Sequence, residues 1–251
     1  YEILRCLVGS EMCIRDRNKE YYVTLCKTLP EESQMKRKAA FVSDFDGTIT
    51  GDDFFTYASA AFFDEKSLTP WRRFKKGEIT HFEALKEMFE KIRVSCGEFN
   101  AFMDKIPVDG GFAEGARICR EKNMPVYICS AGCDYYIKYL IGNIIEKYGV
   151  ALVANRGCYS PETGLVMQMP PADSPYFDPA TGISKAAVVN RLHREGYEVI
   201  YAGDGLPDYE AAWNADVVFA RRDLLSKCRE AGIAARAFND FGVINAYLKE
   251  L

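Results

Sequence analysis

The stretch "AAFVSDFDGTIT", Ala39 to Thr50, runs an apolar segment straight into two aspartates, Asp44 and Asp46, with only Phe45 between them. A carboxylate at the end of a segment that reads as buried is costly unless it is paired, hydrogen-bonded or bound to a cation. Positive charge must therefore reach this point from elsewhere in the chain.

The 251 residues, 48% hydrophobic and 13% aromatic, suffice for one full core with a smaller satellite. A formal net charge of -4 supplies no general field for nucleic acid or an anionic membrane, so an anionic ligand needs a local site. No apolar run reaches eighteen residues, and "YEILRCLVGSEMCIRDR" at the N-terminus is broken by charge, so neither a spanning helix nor a signal peptide is expected and the expected address is cytoplasmic. Nine cysteines, an odd number without a CxxC pair, read as reduced thiols, and two histidines, His81 and His193, exclude zinc sites built from several histidines. Residues 1–34 read as a non-native or disordered extension, because "CLVGSEMCIRDR" resembles translated adaptor sequence and "MKRKAAFV" from Met35 looks like a natural start.

Short apolar runs alternate with amphipathic ones. Strands are expected at Ala39 to Phe45, Pro125 to Cys129, Val150 to Val153, Tyr197 to Ala202 and Asp216 to Phe219. Helices are expected at Gly111 to Lys122, Asp134 to Lys147, Lys185 to Glu195, Pro207 to Asn214, Asp223 to Ala231 and Phe241 to Leu251, and "CYSPETGLVMQM" reads as a hairpin turned by Pro161 and Gly164. The class is α/β: a Rossmann-like parallel sheet with helices on both faces. Residues 53–107 interrupt the alternation with "DFFTYASAAFF", "HFEALKEMFEKI" and "GEFNAFMDKI", all at helical spacing. They read as a small helical cap inserted after the first strand, leaving 35–52 and 108–251 as the core.

Three apolar runs end in polar residues, at Asp44, Ser130 and Asp204. Open parallel sheets bind ligands beyond the carboxyl ends of their strands, so these three segments converge on one site. Asp44, Asp46 and Asp204 gather the oxygen ligands that Mg²⁺ prefers. Ser130 offers a hydroxyl, "SAG" opens a helix near Cys133 whose free N–H groups favour an anion, and Lys185 follows Ser184, a candidate N-cap. A cation, an ammonium and helix starts around a carboxylate suit a transferring phosphoryl group.

"DFDGTIT", "CSAG", Lys185 and "GDGLPD" resemble, in order, the four motifs of the haloacid dehalogenase superfamily of phosphatases, over essentially Lys36 to Leu251. The insert resembles the cap of the phosphoserine-phosphatase branch. "CSAGCDYYIKYLI" and "VVFARRDLLSKCRE" look most like the methionine-salvage phosphatases that act on 2-hydroxy-3-keto-5-methylthiopentenyl-1-phosphate. The resemblance implies that Asp44 attacks phosphorus and becomes an aspartyl phosphate, and that Asp46 serves as acid and then base. It implies that Asp44, the backbone carbonyl of Asp46 and Asp204 hold Mg²⁺. Ser130, the backbone amides of Ala131 and Gly132, and Lys185 would hold the phosphate, with Asp208 orienting Lys185 or supporting the metal shell. The partner implied is a small phosphorylated metabolite, with no nucleic acid and no membrane; oligomeric state is not legible.

Other classes stay open on the residues alone. A calcium loop counted from Asp46 finds its glycine at Gly51 but Tyr57 in place of the closing glutamate. Ser130 lacks the GxSxG elbow of a serine hydrolase, and no Walker lysine motif occurs. A phosphate-binding module without turnover and a phosphotransferase remain alternatives to the hydrolase. "WRRFKK" reads as a solvated face, and Phe54, Phe55, Phe62, Phe63 and Phe74 read as the insert's own core rather than a grip on an apolar substrate tail. Asp53 is either a helix N-cap or a group that holds a substrate amine. Phosphoserine is disfavoured because Leu206 and Pro207 replace the Ala and Asn of the fourth motif of phosphoserine-specific relatives, and because "FEALKEMFEKI" lacks an arginine. A chain begun at Met35 is expected to keep its thermal midpoint and activity; loss of either would show that residues 1–34 belong to the fold.

Overall fold

The structure, a computed structural model, describes residues 38–251. The expectation for residues 1–34 lies outside them. Strand β1 (Lys38–Ser43) carries Ala40, Phe41 and Val42 fully buried, which the central strand of a parallel sheet requires because both of its faces are covered. It pairs in parallel with β2 (Val126–Cys133) on one side. On the other side it pairs with the strand Tyr197–Gly203.

Around this centre lie β3 (Ala151–Ser160), β4 (Gly164–Gln168), a two-residue pair β5 (Phe177–Asp178) and β6 (Gly182–Ile183), then β7 (Tyr197–Gly203), β8 (Val217–Ala220) and β9 (Ala235–Ala237). The main sheet has the order β4-β3-β2-β1-β7-β8-β9 and is parallel except for the β3–β4 hairpin. All five expected strands occur. The short β5, β6 and β9 were not expected, since two or three residues are too few to show a period.

Alternation along β1 sorts its side chains between two apolar layers. Phe41 joins Ile128, Ile200 and Phe219 on one face, against Phe112 and Phe241. Ala40 and Val42 join Tyr201 and Val218 on the other, against Val188, Leu192 and Leu224. β1, β7 and β8 end together, Ser43 being in register with Ala202 and Gly203 with Ala220, while β2, paired to Ser43 at Ile128, runs on to Cys133.

Residues 53–107 form four helices and no strand: α1 (Phe54–Phe62), α2 (Thr69–Lys75), α3 (His81–Phe89) and α4 (Cys96–Met103). Their two ends are tied by a bridge between Thr50 and Val108 and by the Gly51 N–H donating to the Pro107 carbonyl at 3.0 Å. Thr80 with Glu83, and Ser95 with Glu98, close capping boxes that start α3 and α4. Phe54 packs edge-on against Phe89, Phe99 and Phe102. Helix α2 was not expected; Pro70 in its first turn was its one signal. Within "WRRFKK", Arg72 pairs with Glu65 and Arg73 with Glu87, as a solvated face would.

The remaining helices are α5 (Gly111–Glu121), α6 (Asp134–Tyr148), α7 (Lys185–Arg194), α8 (Tyr209–Asn214), α9 (Arg222–Glu230) and α10 (Phe241–Glu250). Gly164 turns the β3–β4 hairpin at φ +73°, and a Cβ there would stand 2.5 Å from the Glu90 carbonyl oxygen at the end of α3. Gly164→Ala meets both a left-handed backbone and a main-chain clash, so a loss of about 2–4 kcal/mol is expected. Urea unfolding measures it; a midpoint within error of the wild type would contradict this packing.

Candidate active site

The ammonium of Lys185 stands at the centre of the site. Ser184 caps α7 by accepting from the Ala187 N–H at 3.1 Å, which places Lys185 in the first turn. Its Nζ lies 2.8 Å from Asp44 Oδ1 and donates to Asp208 Oδ1 at 2.5 Å, with all three side chains at most 6% exposed. Burial alone would pull the Lys185 pKa down, but the Asp208 and Asp44 carboxylates outweigh it and hold it above its ordinary value. The lysine is charged at any physiological pH.

Asp208 is saturated: Oδ1 also accepts from the Tyr201 hydroxyl at 2.6 Å, and Oδ2 accepts from the backbone N–H groups of Asp204 and Gly205 at 3.0 and 2.9 Å. Asp44 and Asp204 are less satisfied. The Phe45 N–H donates to Asp44 Oδ1 at 2.7 Å, and Thr48 reaches Asp204 Oδ1 only at 3.4 Å. Burial, then the Asp208 carboxylate, pushes Asp44 well above the usual carboxylate range despite Lys185. Burial and the Asp208 and Asp53 carboxylates push Asp204 up to about 7.

Oxygens of Asp44, Asp204 and Asp208 lie within 4.8 Å of one another. Buried hard-oxygen donors that Lys185 does not fully neutralise fit a divalent cation such as Mg²⁺. Of the three, Asp208 has both oxygens engaged by several donors, whereas Asp44 Oδ2 has none among the described residues and Asp204 Oδ2 meets only the half-exposed Arg222, which leaves these two as the more available side chains. Gly47 keeps the space beside Asp204 clear, since a Cβ there would fall 2.2 Å from Asp204 Oδ2.

Asp46 turns the other way. Its Oδ1 accepts from the Phe54 N–H at 3.1 Å, and its Oδ2 accepts from the hydroxyls of Ser130 at 3.1 Å and Tyr136 at 2.6 Å. Burial raises its pKa, opposed chiefly by the Tyr136 bond. The Ser130 hydroxyl in turn accepts from the Gly132 N–H at 2.9 Å, and Asn155 holds the Ala131 carbonyl at 2.8 Å. β2 stays extended through "SAGC", so α6 starts at Asp134 rather than at the serine.

Thus Asp44, Asp46, Lys185, Asp204 and Asp208 come together on a cavity of about 750 Å³ that Ala131, Gly132 and Asp53 also line, and Ser130, itself buried behind the lining, joins them through its bond to Asp46. Asp53 sits at the N-cap position of α1, but its side chain makes no cap hydrogen bond. Although it reaches solvent, the protein around it and the Asp46 and Asp52 carboxylates raise it to about 6. Sequence reasoning missed Tyr136, which no spacing separates from neighbouring tyrosines and which stacks on Phe54 at 4.0 Å between ring centroids. It also missed Arg222, in the left-handed region at φ +49°, whose guanidinium lies 3.1 Å from Asp204 Oδ2 and 3.3 Å from Asp52 Oδ1. The rule that flagged Asp44, Ser130 and Asp204 would have found it, because "VVFARRD" is a fourth apolar run ending in charge.

No family model matches the chain. A 2-hydroxy-3-keto-5-methylthiopentenyl-1-phosphate phosphatase of Lysinibacillus sphaericus (strain C3-41) is 28% identical over 211 residues, covering 81% of this chain and 91% of that protein. One of the same name from Bacillus pumilus (strain SAFR-032) is 25% identical over 221 residues, covering 86% and 93%. A phosphoserine phosphatase solved as an analogue of its phospho-aspartyl intermediate superposes with a TM-score of 0.58 at 17% identity, covering 84% of this chain and 99% of that one. The chain is thus similar over most of its length to these phosphatases and shares the fold of the solved phosphoserine phosphatase.

Lys185→Met removes the ammonium from three buried carboxyl groups, so the folded variant should bind more protons than the unfolded chain above about pH 4, the ordinary carboxylate value. Its stability deficit should grow as pH rises, from small near pH 5 to about 3–5 kcal/mol near pH 8 with metal chelated. Chemical unfolding at both pH values checks this, and a deficit independent of pH would speak against the charge account.

Proposed function

We propose that the chain hydrolyses a small phosphomonoester through an aspartyl-phosphate on Asp44, with Mg²⁺ as cofactor. The observation that carries this reading is the division of labour between two aspartates one residue apart: Asp44 is held by Lys185, and Asp46 by hydroxyl and amide donors. Asp44 and Asp204, with the main-chain carbonyl of Asp46, would hold the ion, which supplies charge neutralisation at the phosphoryl oxygens.

In the first step an Asp44 oxygen bonds to phosphorus as the bond to the leaving oxygen breaks. The Asp46 carboxyl, whose pKa burial raises, gives its proton to that oxygen. Asp46, now a carboxylate, takes a proton from water as the water oxygen attacks phosphorus, and Asp44 leaves as a carboxylate. Ser130, the amides of Ala131 and Gly132, and Lys185 hold the equatorial oxygens, while Asp208 fixes Lys185. The helical segment 53–107 acts as a cap over a core made of 35–52 and 108–251. Six described cysteines are free, as suits a reducing cytoplasm.

The relatives' names support 2-hydroxy-3-keto-5-methylthiopentenyl-1-phosphate, a methionine-salvage intermediate, as the substrate. One observation favours a second reading: the uncapped Asp53 carboxylate on the cavity would suit the amine of phosphoserine.

Phosphate release from 4-nitrophenyl phosphate should require Mg²⁺, and Asp44→Asn should lower kcat by about 10³-fold or more, the scale for a lost nucleophile. An Asp44→Asn protein verified by mass and still active at the wild-type rate would sink the mechanism. A kcat/KM for phosphoserine tenfold above that for the methylthio substrate would overturn the preferred substrate alone.

A further inference from the structure

The cavity that contains Asp44 and Lys185 has a second wall of different character. Phe55 stacks on Trp71 at 4.1 Å between ring centroids, Trp71 packs on Phe74 at 5.1 Å, and the His81 ring meets Trp71 and Phe74 edge-on at 5.8 and 5.3 Å. All four rings line the cavity. They come from α1, α2 and the first residue of α3, so the wall belongs to the helical insert.

His81 is out of place among them. Its Nδ1 is buried without a hydrogen-bond partner, and no bond is made by Nε2 among the described residues. Buried polar side-chain atoms are nearly always paired, so an unpaired ring in a cavity wall points to a ligand. The surrounding protein, with Lys185 and Lys75 adding repulsion, pulls its pKa to about 4, so the ring is neutral at physiological pH and offers one N–H and one lone pair. The charged groups near it are arranged otherwise: Lys75 Nζ lies over the Trp71 ring at 5.4 Å, and Arg222 is paired with Asp52 and Asp204.

We propose that His81 is a specificity-determining residue: it hydrogen-bonds an uncharged hydroxyl or ketone on the substrate chain, while Phe55, Trp71 and Phe74 enclose the chain's apolar tail. This rests on the phosphomonoester reading and deepens it, making the substrate class an oxygenated, uncharged alkyl phosphate. A charged tail would be desolvated against the rings, with only Lys75 on the cavity wall beside them to pair a carboxylate, so zwitterionic and dicarboxylic phosphates are selected against.

The test uses non-hydrolysable phosphonates with Mg²⁺, so that binding is read apart from turnover. The chain has two tryptophans, and Trp213 is 59% exposed on α8, so Trp213→Phe leaves Trp71 as the reporter fluorophore. Methyl-, pentyl-, oxopentyl- and carboxypentylphosphonate are titrated. Pentyl should bind at least tenfold more tightly than methyl, given a few-fold gain per buried methylene, and carboxypentyl more weakly than pentyl. His81→Phe should weaken oxopentyl about tenfold relative to pentyl, and His81→Asn should restore part of that ratio.

Equal affinity for methyl and pentyl, or tighter binding of carboxypentyl, overturns the proposal even if both His81 variants fail to fold. An oxopentyl-to-pentyl ratio unchanged in folded His81→Phe overturns the part assigned to His81. Failure of methylphosphonate to bind at all would instead remove the phosphate site, and with it the reading on which this one rests.

Discussion

One ammonium holds two buried carboxylates, with a third beside them, at the carboxyl edge of the sheet. Lys185 lies within 2.8 Å of Asp44 and 2.5 Å of Asp208, and the amides of Asp204 and Gly205 anchor the far oxygen of Asp208. Like charges this close cannot all ionise without compensation, and burial leaves no water to supply it. The β1 loop, the β7 loop and the start of α7 are therefore bound to one another electrostatically. Burial keeps Asp44 and Asp204 above the usual carboxylate range despite Lys185 and Arg222, a charge balance that a divalent cation would complete.

The same loop gives its two aspartates different environments. Asp44 meets a cation, whereas Asp46 meets two hydroxyls and an amide, and that contrast is what the proposed division between nucleophile and acid/base rests on. Glycine makes the close approaches possible. A side chain at Gly132 would overlap the Tyr136 hydroxyl and crowd Asp46, and one at Gly203 would stand 2.7 Å from the Asp208 carboxyl carbon.

The helical segment 53–107 is joined closely to the loop that carries the aspartates. Its base is closed by the Thr50–Val108 bridge, and Arg222 reaches from α9 to both Asp52 and Asp204. Arg221 adds bonds to the carbonyls of Gly47, Thr50 and Asn239, so two arginines brace the loop that carries the aspartates. Phe54 illustrates the continuity of the layers: its ring packs inside the insert and stacks on Tyr136, which bonds Asp46.

Much of this was legible in the residues themselves. An apolar run buried on both faces has one meaning in a parallel sheet, so β1, β2, β3, β7 and β8 could be read locally, and the polar residues ending three of them pointed to a single site. Local signals also marked Ser184 as a cap and Gly164 as a turn. Which aspartate faces the lysine, which faces Tyr136, and that the Asp53 carboxylate makes no cap bond to its helix were decided only in three dimensions. So was the composition of the cavity wall, where Phe55, Trp71, Phe74 and His81 share one face although three helices supply them. Periodicity records which side of an element is apolar, but partners more than a hundred residues apart, such as Asp44 and Lys185, are set by strand order and helix packing.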